Sequence, residues 1–363
     1  MTKSGLLLLL APAALTLAAA RPSPAPATDV PLSPVSLGRI DAHAHFLAEA
    51  QPVVDLLDRL NLTAVNICVV DRYDKGYEKA APQHEIARHL AQASRGRLPW
   101  IATFEDDGFA QPGFTERTLA AIDQALADGA HGVKVYKSMG MELRDAKGRY
   151  LLPDDPAFDG VFSGLAKRGA TVYAHIAEPI AAWLPLDPKN PDYSYYKDNP
   201  AWHVYGRAGV PSKEEILAGR DRLLAKHPTL RVIGCHLGSM EEDVDAIARR
   251  LDRYPNFVVD TAARITHLSL QPREKVRAFL LKYQDRVLYG TDVVFMPGQD
   301  AAAAVRHLQS EYDRDWRYFA TAQAVDFEGR KVEGLALPEE ALRRIFRENA
   351  LRFVPGLPTK AGR

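Results

Sequence analysis

Two histidines separated by one residue, His43 and His45, lie in the stretch IDAHAHF. In an extended strand the side chains alternate between two faces, so these imidazoles share a face about 6.6 Å apart along the chain. Two imidazoles in this arrangement can bind one metal ion at about 2.0–2.1 Å each. A pair of polar residues at a strand end would show the same pattern, so the metal hypothesis needs further ligands elsewhere in the chain.

Later apolar runs end in side chains of a similar kind. Lys134 lies in GVKVYK, His175 follows TVYA, His236 lies in IGCHLG and Asp292 follows VLYGT. Neutral imidazoles and carboxylates can hold Zn²⁺ or a similar divalent ion and leave a position for water. The alternatives are a buried histidine with satisfied hydrogen bonds for His236 and a helix N-cap for Asp292.

The elements around these residues alternate between short apolar runs and helical patterns. Eight runs are candidate strands: IDAHAHF, LTAVNICVV, LPWIATF, HGVKVYK, TVYAHIAE, LRVIGCHLG, FVVDTAARI and VLYGTDVVF. Such alternation indicates parallel strands with right-handed crossovers. Eight strands favour an α/β fold of the (β/α)8 TIM-barrel type over an open doubly wound sheet, with extra helices at the C-terminus. In a barrel the C-terminal ends of the strands meet at one mouth, which would bring the ligand-type side chains together.

These residues and motifs resemble the amidohydrolase superfamily. IDAHAHF, CHLGS, YGTD and the late RENALRF are similar to its amidohydrolase-related branch, which also contains non-oxidative decarboxylases. The resemblance implies a (β/α)8 barrel that binds one or two divalent ions, with zinc expected. It implies six metal ligands: His43, His45, Lys134, His175, His236 and Asp292.

By the same resemblance, Asp292 contacts the metal and acts as the general base, taking a proton from the metal-activated water and passing it to the leaving group. A bound divalent ion lowers the pKa of water towards about 7 and polarises a carbonyl oxygen. This would make hydroxide available at neutral pH.

Lys134 leaves the metal count open. In some branches of the superfamily the fourth-strand lysine forms a carbamate that bridges two metals about 3.5–4 Å apart, whereas the decarboxylase-like branch usually uses one metal. The alternatives for Lys134 are a pair with a carboxylate such as Glu105, or binding of an acidic substrate. Strand alternation places Lys134 on the same face as Tyr136, with Lys137 on the opposite face.

A long irregular insertion, from about Ala181 to Ser212, follows the fifth strand and is rich in aromatic residues. Loops of this length are usually functional or disordered, and the aromatic content argues against disorder. We expect the aromatic side chains to form a lid or to pack on the barrel. Arg264, after the seventh strand, would bind a substrate carboxylate or pair with Asp260 or another acid. The expected substrate-binding residues are Tyr136, Trp202, His203, Tyr205 and Arg264.

The N-terminus predicts export. Lys3 precedes an apolar run that ends in Ala18-Ala19-Ala20, the order of a secretory signal peptide over residues 1–20. An uncleaved tail that anchors the chain is the alternative, although the run is too short to span a bilayer comfortably. Residues 21–36 are proline-rich and predict a linker, so the barrel is expected over residues 37–363. The mature protein is expected in the periplasm or outside the cell, without a stable membrane anchor.

The charge balance limits the classes of partner that we expect, and the cysteine content bears on disulfide formation. Lys plus Arg and Asp plus Glu number 46 each, so no overall field draws nucleic acid or an anionic membrane. Cys68 and Cys235 lie in separate apolar runs and are expected to be buried free thiols. The expected partner is a small-molecule substrate, and a homo-oligomer is left open.

Three functions follow from these expectations. The leading one is an exported metal-dependent hydrolase that cleaves an amide, ester or lactone bond. The second is a metal-dependent non-oxidative decarboxylase or other lyase acting on an aromatic or dienoic acid. The predicted export argues against this second function. The third is a non-catalytic barrel that binds a ligand, although such a protein has no need of Asp292 as a proton-transfer group.

Overall fold

Nine parallel strands form one sheet in the computed structural model, which describes residues 32–359. Strands β1 to β8 pair in sequence order, and β9 pairs with β1. The predicted signal peptide and most of the predicted linker lie outside the described residues. The strands are β1 (Ile40–Phe46), β2 (Thr63–Ile67), β3 (Trp100–Ala102), β4 (Ala130–Val135), β5 (Thr171–Ala174), β6 (Arg231–Gly234), β7 (Phe257–Asp260), β8 (Val287–Leu288) and β9 (Val293–Phe295).

The eighth strand position consists of two short pieces, β8 and β9. β8 pairs with β7, and β9 pairs with β1. Between the two pieces, the N–H of Ala42 donates to the carbonyl of Tyr289 and the N–H of Asp292 donates to the carbonyl of His43, each over 2.8 Å. These bonds join the two sides of the sheet, which confirms the predicted (β/α)8 barrel.

Helices lie between the strands and after them. Seven connect successive strands: Gln51–Arg59, Ala80–Ala93, Phe114–Ala127, Pro156–Lys167, Lys213–Lys226, Val244–Arg253 and Arg273–Lys282. Shorter helical segments are Pro34–Leu37, Ser138–Met141, Ile180–Trp183, Tyr193–Asp198, Cys235–Ser239 and Ile265–Leu270. The C-terminal helical segments are Ala301–Ala320, Glu339–Arg343, Arg344–Glu348 and Asn349–Phe353. No helix within residues 32–359 is long and apolar enough to cross a membrane.

An antiparallel hairpin that the sequence reasoning missed lies among the C-terminal helices. It consists of β10 (Ala324–Phe327) and β11 (Arg330–Glu333), joined through Glu328 and Gly329. Its first strand alternates between exposed and buried side chains, as expected for a half-buried strand.

The barrel interior is filled by aliphatic side chains, including Ile67, Ile101 and Ile233, packed with Val354 and Leu357 from the C-terminus. At the start of β5, the hydroxyl of Thr171 donates to the carbonyl of Phe353 over 2.5 Å. The C-terminal segment therefore packs against the N-terminal ends of the strands. The opposite end of the barrel, where the strands finish, is left for the site.

Candidate metal centre and its cavity

The two histidines of β1 are oriented by their Nδ1 atoms. His43 Nδ1 lies 2.8 Å from Oδ2 of Asp260, and His45 Nδ1 lies 2.7 Å from the carbonyl oxygen of Ile67. Such contacts fix the tautomer and the ring orientation of a metal-binding histidine. Both Nε2 atoms are thereby left available as ligands.

Asp292 meets both of these Nε2 atoms. Its Oδ1 lies 3.3 Å from Nε2 of His43 and 3.2 Å from Nε2 of His45, and the three ligand atoms lie within 4.8 Å of one another. Asp292 has a left-handed backbone with φ 67°, a conformation that is uncommon outside glycine and clusters at functional sites. Burial opposes its ionisation, but His236, His43 and a hydrogen bond with His45 hold the pKa of Asp292 well below its usual range.

His236 and His175 complete a group of four imidazoles. The ring centroid of His236 lies 4.9 Å from that of His43 and 4.2 Å from that of His175. His236 has φ 60°, and its Nδ1 lies 3.0 Å from the carbonyl oxygen of Ala262. Burial lowers the pKa of His43, His175 and His236, which favours the neutral form that binds metals.

His175 provides a test of whether these residues fit a metal. Its Nε2 is buried and has no hydrogen-bond partner among residues 32–359, an arrangement that costs about 1–3 kcal/mol. A divalent ion at the four imidazoles and Asp292 would satisfy this nitrogen. The donor set therefore fits the metal that the sequence predicts.

Lys134 lies beside the same group, although it does not form the pair with Glu105 that was one alternative. Its Nζ lies 3.3 Å from Nε2 of His43 and 3.2 Å from Sγ of Cys235, whereas Glu105 accepts the N–H of Ala80. Within residues 32–359, Lys134 forms no ion pair. Its position is compatible with a carbamate, which stays a prediction. Both cysteines are buried and free, as predicted.

Asp260 is a residue of the site that sequence reasoning treated only as a possible partner of Arg264. One carboxylate oxygen contacts His43, and the other accepts the backbone N–H groups of His236 and Ala262 at 2.8 and 3.2 Å. Asp260 therefore orients two of the candidate ligands. Its place at the end of β7 was the available signal.

A cavity of about 440 Å³ opens beside the candidate ligands. Of the predicted substrate-binding residues, Tyr136 and Arg264 line it, and Trp202, His203 and Tyr205 do not. Trp202 packs against Tyr136 at 5.6 Å between ring centroids. His203 contacts the carbonyl of Leu184, and Tyr205 is 52% exposed. The candidate ligands that line the cavity are His45, Lys134, His175, His236 and Asp292.

Arg264 contributes a cation to the cavity wall that forms no ion pair within the described part of the chain. One guanidinium nitrogen donates to the carbonyl of Ala263, and Nε is buried without a partner. Pairing with Asp260 is excluded, because that carboxylate is occupied by His43, His236 and Ala262. Burial opposes the charge, but the nearby carboxylates, chiefly Glu241, raise the pKa of Arg264 above its ordinary value.

Lys137 also lines the cavity, which corrects its expected position on the opposite face. β4 ends at Val135, and Lys137 has φ −62° and ψ −6°, so strand alternation no longer applies there. Its Nζ contacts Glu178 and lies 2.9 Å from the hydroxyl of Tyr195. The Glu178 carboxylate also accepts the hydroxyl of Tyr196 over 2.9 Å, which connects the aromatic loop to the end of β5.

Comparison with known proteins gives a family match and a set of structural similarities. A family profile described as Amidohydrolase matches residues 40–356. The crystal structure of an amidohydrolase II has 19% identity and a TM-score of 0.51, covering 87% of this chain and 99% of that chain. A 2,6-dihydroxybenzoate decarboxylase from Rhizobium has 17% identity and a TM-score of 0.52, covering 87% of this chain and 98% of that chain. No curated protein matches significantly, and the structural similarities support the fold alone.

Proposed function

The chain belongs to the amidohydrolase family, and from this premise we propose that it is an exported metal-dependent hydrolase that cleaves an amide, ester or lactone bond. The observation that carries the proposal is the position of Asp292. Its carboxylate lies between the Nε2 atoms of His43 and His45 at the wall of a cavity. A base next to the ligands of a metal is the arrangement that hydrolysis by water requires.

The residues that would hold the ion are His43, His45, His175, His236 and Asp292, with Lys134 as a further ligand if it is carbamylated. When bound, the ion would polarise the scissile carbonyl and lower the pKa of a water molecule. Four imidazoles suit zinc better than magnesium or calcium, which prefer oxygen ligands.

Asp292 would accept the proton of the attacking water and return it to the leaving group. Its carboxylate is ionised at neutral pH, so it is available as a proton acceptor. The contacts of His43 with Asp260 and of His45 with the carbonyl of Ile67 hold the two imidazoles in place during this transfer.

Two residues of the cavity wall, Arg264 and Tyr136, support a small substrate that carries a carboxylate. Arg264 forms no ion pair within residues 32–359 and lines the cavity, and a guanidinium can bind a carboxylate through two parallel hydrogen bonds. The ring of Tyr136 offers an apolar surface at the same wall, with its hydroxyl donating to Asp71 over 2.7 Å. A cavity of about 440 Å³ is within the size range of small-molecule sites.

Turnover on a substrate panel tests the proposal. The purified mature protein would be loaded with zinc and incubated with esters, lactones and amides, each with and without a carboxylate. We expect release of an acid together with an alcohol or amine, and loss of this release on treatment with a chelator. A metal-loaded protein that hydrolyses no member of the panel would contradict the proposal.

A non-oxidative decarboxylase is the second candidate. It is favoured by Arg264, a cation at the wall of the cavity that could hold an aromatic acid, and by the fold shared with the Rhizobium 2,6-dihydroxybenzoate decarboxylase. Release of carbon dioxide without a hydrolysis product would replace the hydrolase proposal with this one. Metal binding with neither reaction would favour the ligand-binding barrel.

Export is proposed from the N-terminal sequence. Expression of the full chain in a Gram-negative host, followed by cell fractionation and N-terminal sequencing, tests it. We expect a periplasmic product that begins near residue 21, and a chain lacking residues 1–20 serves as the cytoplasmic control. An intact N-terminus in the cytoplasmic fraction would contradict export.

A further inference from the structure

Asp41 is a completely buried carboxylate that connects β1, which carries His43, with the segment between β8 and β9, which carries Asp292. Its Oδ1 accepts the backbone N–H groups of His43 and Thr291, each over 3.1 Å. Its Oδ2 accepts the hydroxyls of Thr291 at 2.5 Å and Tyr312 at 3.0 Å. A carboxylate has about four acceptor positions, so these four donors occupy all the hydrogen-bond acceptor positions of Asp41.

On β1, Asp41 is next to an irregularity that the candidate site requires. Strict alternation would place Asp41 and His43 on one face, yet Asp41 contacts Tyr312 on the outer helix Ala301–Ala320 while His43 contacts Asp260 inside the barrel. The register of β1 shifts between Asp41 and Ala44, as in a β-bulge, which changes the direction of a side chain. The hydrogen bond from the N–H of His43 to the carboxylate of Asp41 stabilises this irregular part of β1.

On the other side, Asp41 holds the residue before Asp292. Thr291 donates both its N–H and its hydroxyl to Asp41, and Asp292 follows in a left-handed conformation with φ 67°. Such a conformation costs a non-glycine residue about 1–2 kcal/mol. The contacts of Thr291 are therefore part of what keeps the Asp292 carboxylate directed at the imidazoles.

We infer that Asp41 is a positioning residue, which sets the placement of Asp292 relative to His43 and thereby the affinity of the site for its divalent ion. The inference rests on the metal site of the proposed function and does not depend on the bond that is cleaved. Nothing in it requires Asp41 to touch the ion or the substrate.

Zinc affinity of the apo protein, measured by competition with a chelating dye, tests the inference. Asp41→Ala removes all four acceptor contacts and is expected to weaken binding by about 10–100-fold, the usual range for residues that orient ligands. Asp41→Asn is expected to restore affinity to within about threefold of wild type, because its amide oxygen still accepts the two N–H groups and both hydroxyls can rotate to accept from its NH₂.

Asp315→Ala is the matched control. Asp315 is a buried carboxylate on the same outer helix, and it accepts the hydroxyl of Tyr289 over 3.0 Å. Its removal deletes buried contacts with Tyr289 and Arg314 but removes no donor to Asp41 and no contact of a candidate ligand, so zinc affinity is expected to stay at the wild-type value. Equal weakening by Asp315→Ala and Asp41→Ala would show a general loss of stability and would overturn the inference.

Thr291→Val keeps the test decisive if Asp41→Ala does not fold. It removes a hydroxyl that donates to Asp41 and accepts the N–H of Val293. It retains the backbone bond to Asp41 and is expected to weaken zinc binding by about 10-fold, the lower end of the range for residues that orient ligands. Wild-type affinity in a folded Asp41→Ala or in Thr291→Val would overturn the inference. A wild-type protein that binds zinc without hydrolysing any substrate would contradict the hydrolase proposal and leave this comparison valid.

Discussion

Asp292 and His43 are joined twice. The N–H of Asp292 donates to the carbonyl of His43 over 2.8 Å, and Oδ1 of Asp292 lies 3.3 Å from Nε2 of His43. The backbone bond belongs to the closure of the barrel, while the side-chain contact belongs to the candidate site. Closing the sheet between its first and last strands therefore brings the proposed base to the proposed ligands.

Asp292→Asn separates proton transfer from metal binding. Asparagine keeps the shape of the side chain but cannot accept the proton, so kcat is expected to fall by at least about 100-fold. The four imidazoles remain, so zinc content is expected to be retained, as measured by atomic absorption. Asp300→Asn is the control, because Asp300 caps an outer helix and asparagine caps helices equally well. Full turnover in Asp292→Asn would exclude the general-base role.

Lys134 determines the expected number of ions. Its Nζ lies 3.3 Å from Nε2 of His43, where a carbamate would place an oxygen near the ligands and an ammonium would repel a cation. We expect about two zinc ions per chain after loading with bicarbonate and one in Lys134→Ala. Equal single-ion occupancy in both proteins, with and without bicarbonate, would rule out the bridge.

Arg264→Met tests the carboxylate of the substrate. Methionine keeps much of the apolar stem and removes the charge, so KM for a carboxylate-bearing substrate is expected to rise by about 10-fold or more. The matched control is the neutral amide of the same substrate, whose KM is expected to change little. An equal rise for both compounds would indicate a change in cavity shape instead of a lost ion pair.

The barrel and the grouping of the candidate ligands at its mouth were predictable because their signals are local. Each strand is a short apolar run. His43 and His45 lie within the first run, and His175, His236 and Asp292 come shortly after later strands. The fold rule that strand ends meet at one mouth supplied the long-range information. The same rule allowed Arg264 and Tyr136 to be placed near the cavity.

The remaining parts depend on contacts that no local pattern encodes. Lys137 faces the cavity because β4 ends before it. Trp202 packs behind Tyr136 because its Nε1 donates to Asp71 over 3.1 Å, a partner far away in sequence. The contacts of Asp41 could not be predicted from the sequence, because its side-chain donors come from the eighth strand position and the outer helix. The hairpin β10–β11 had a period-two pattern but lies among helical segments.

Tyr77→Phe is expected to leave the protein as stable as wild type or more stable by up to about 1 kcal/mol. The ring of Tyr77 packs with Leu47 and Val69, while its hydroxyl is buried without a partner in the described part of the chain. Tyr196→Phe is the matched comparison, because its hydroxyl donates to Glu178 over 2.9 Å, and its loss is expected to cost about 1.5–3 kcal/mol. Urea unfolding measures both, and equal destabilisation would show that Tyr77 has a partner.

The ionisation of Asp315 is expected to make the free energy of unfolding depend on pH. Burial raises the pKa of Asp315 from 3.8 to about 6, and Arg314 only partly offsets this. The folded state therefore holds the proton more tightly than the unfolded chain, so wild-type stability falls as pH rises between these two values, by about 3 kcal/mol in total. Asparagine cannot ionise, and its oxygen can still accept the hydroxyl of Tyr289. The stability of Asp315→Asn relative to wild type should thus increase by about 3 kcal/mol between about pH 4 and pH 6.5, measured by urea unfolding with chelator present. A constant difference would mean that the Asp315 carboxyl has nearly the same pKa in the folded and unfolded states.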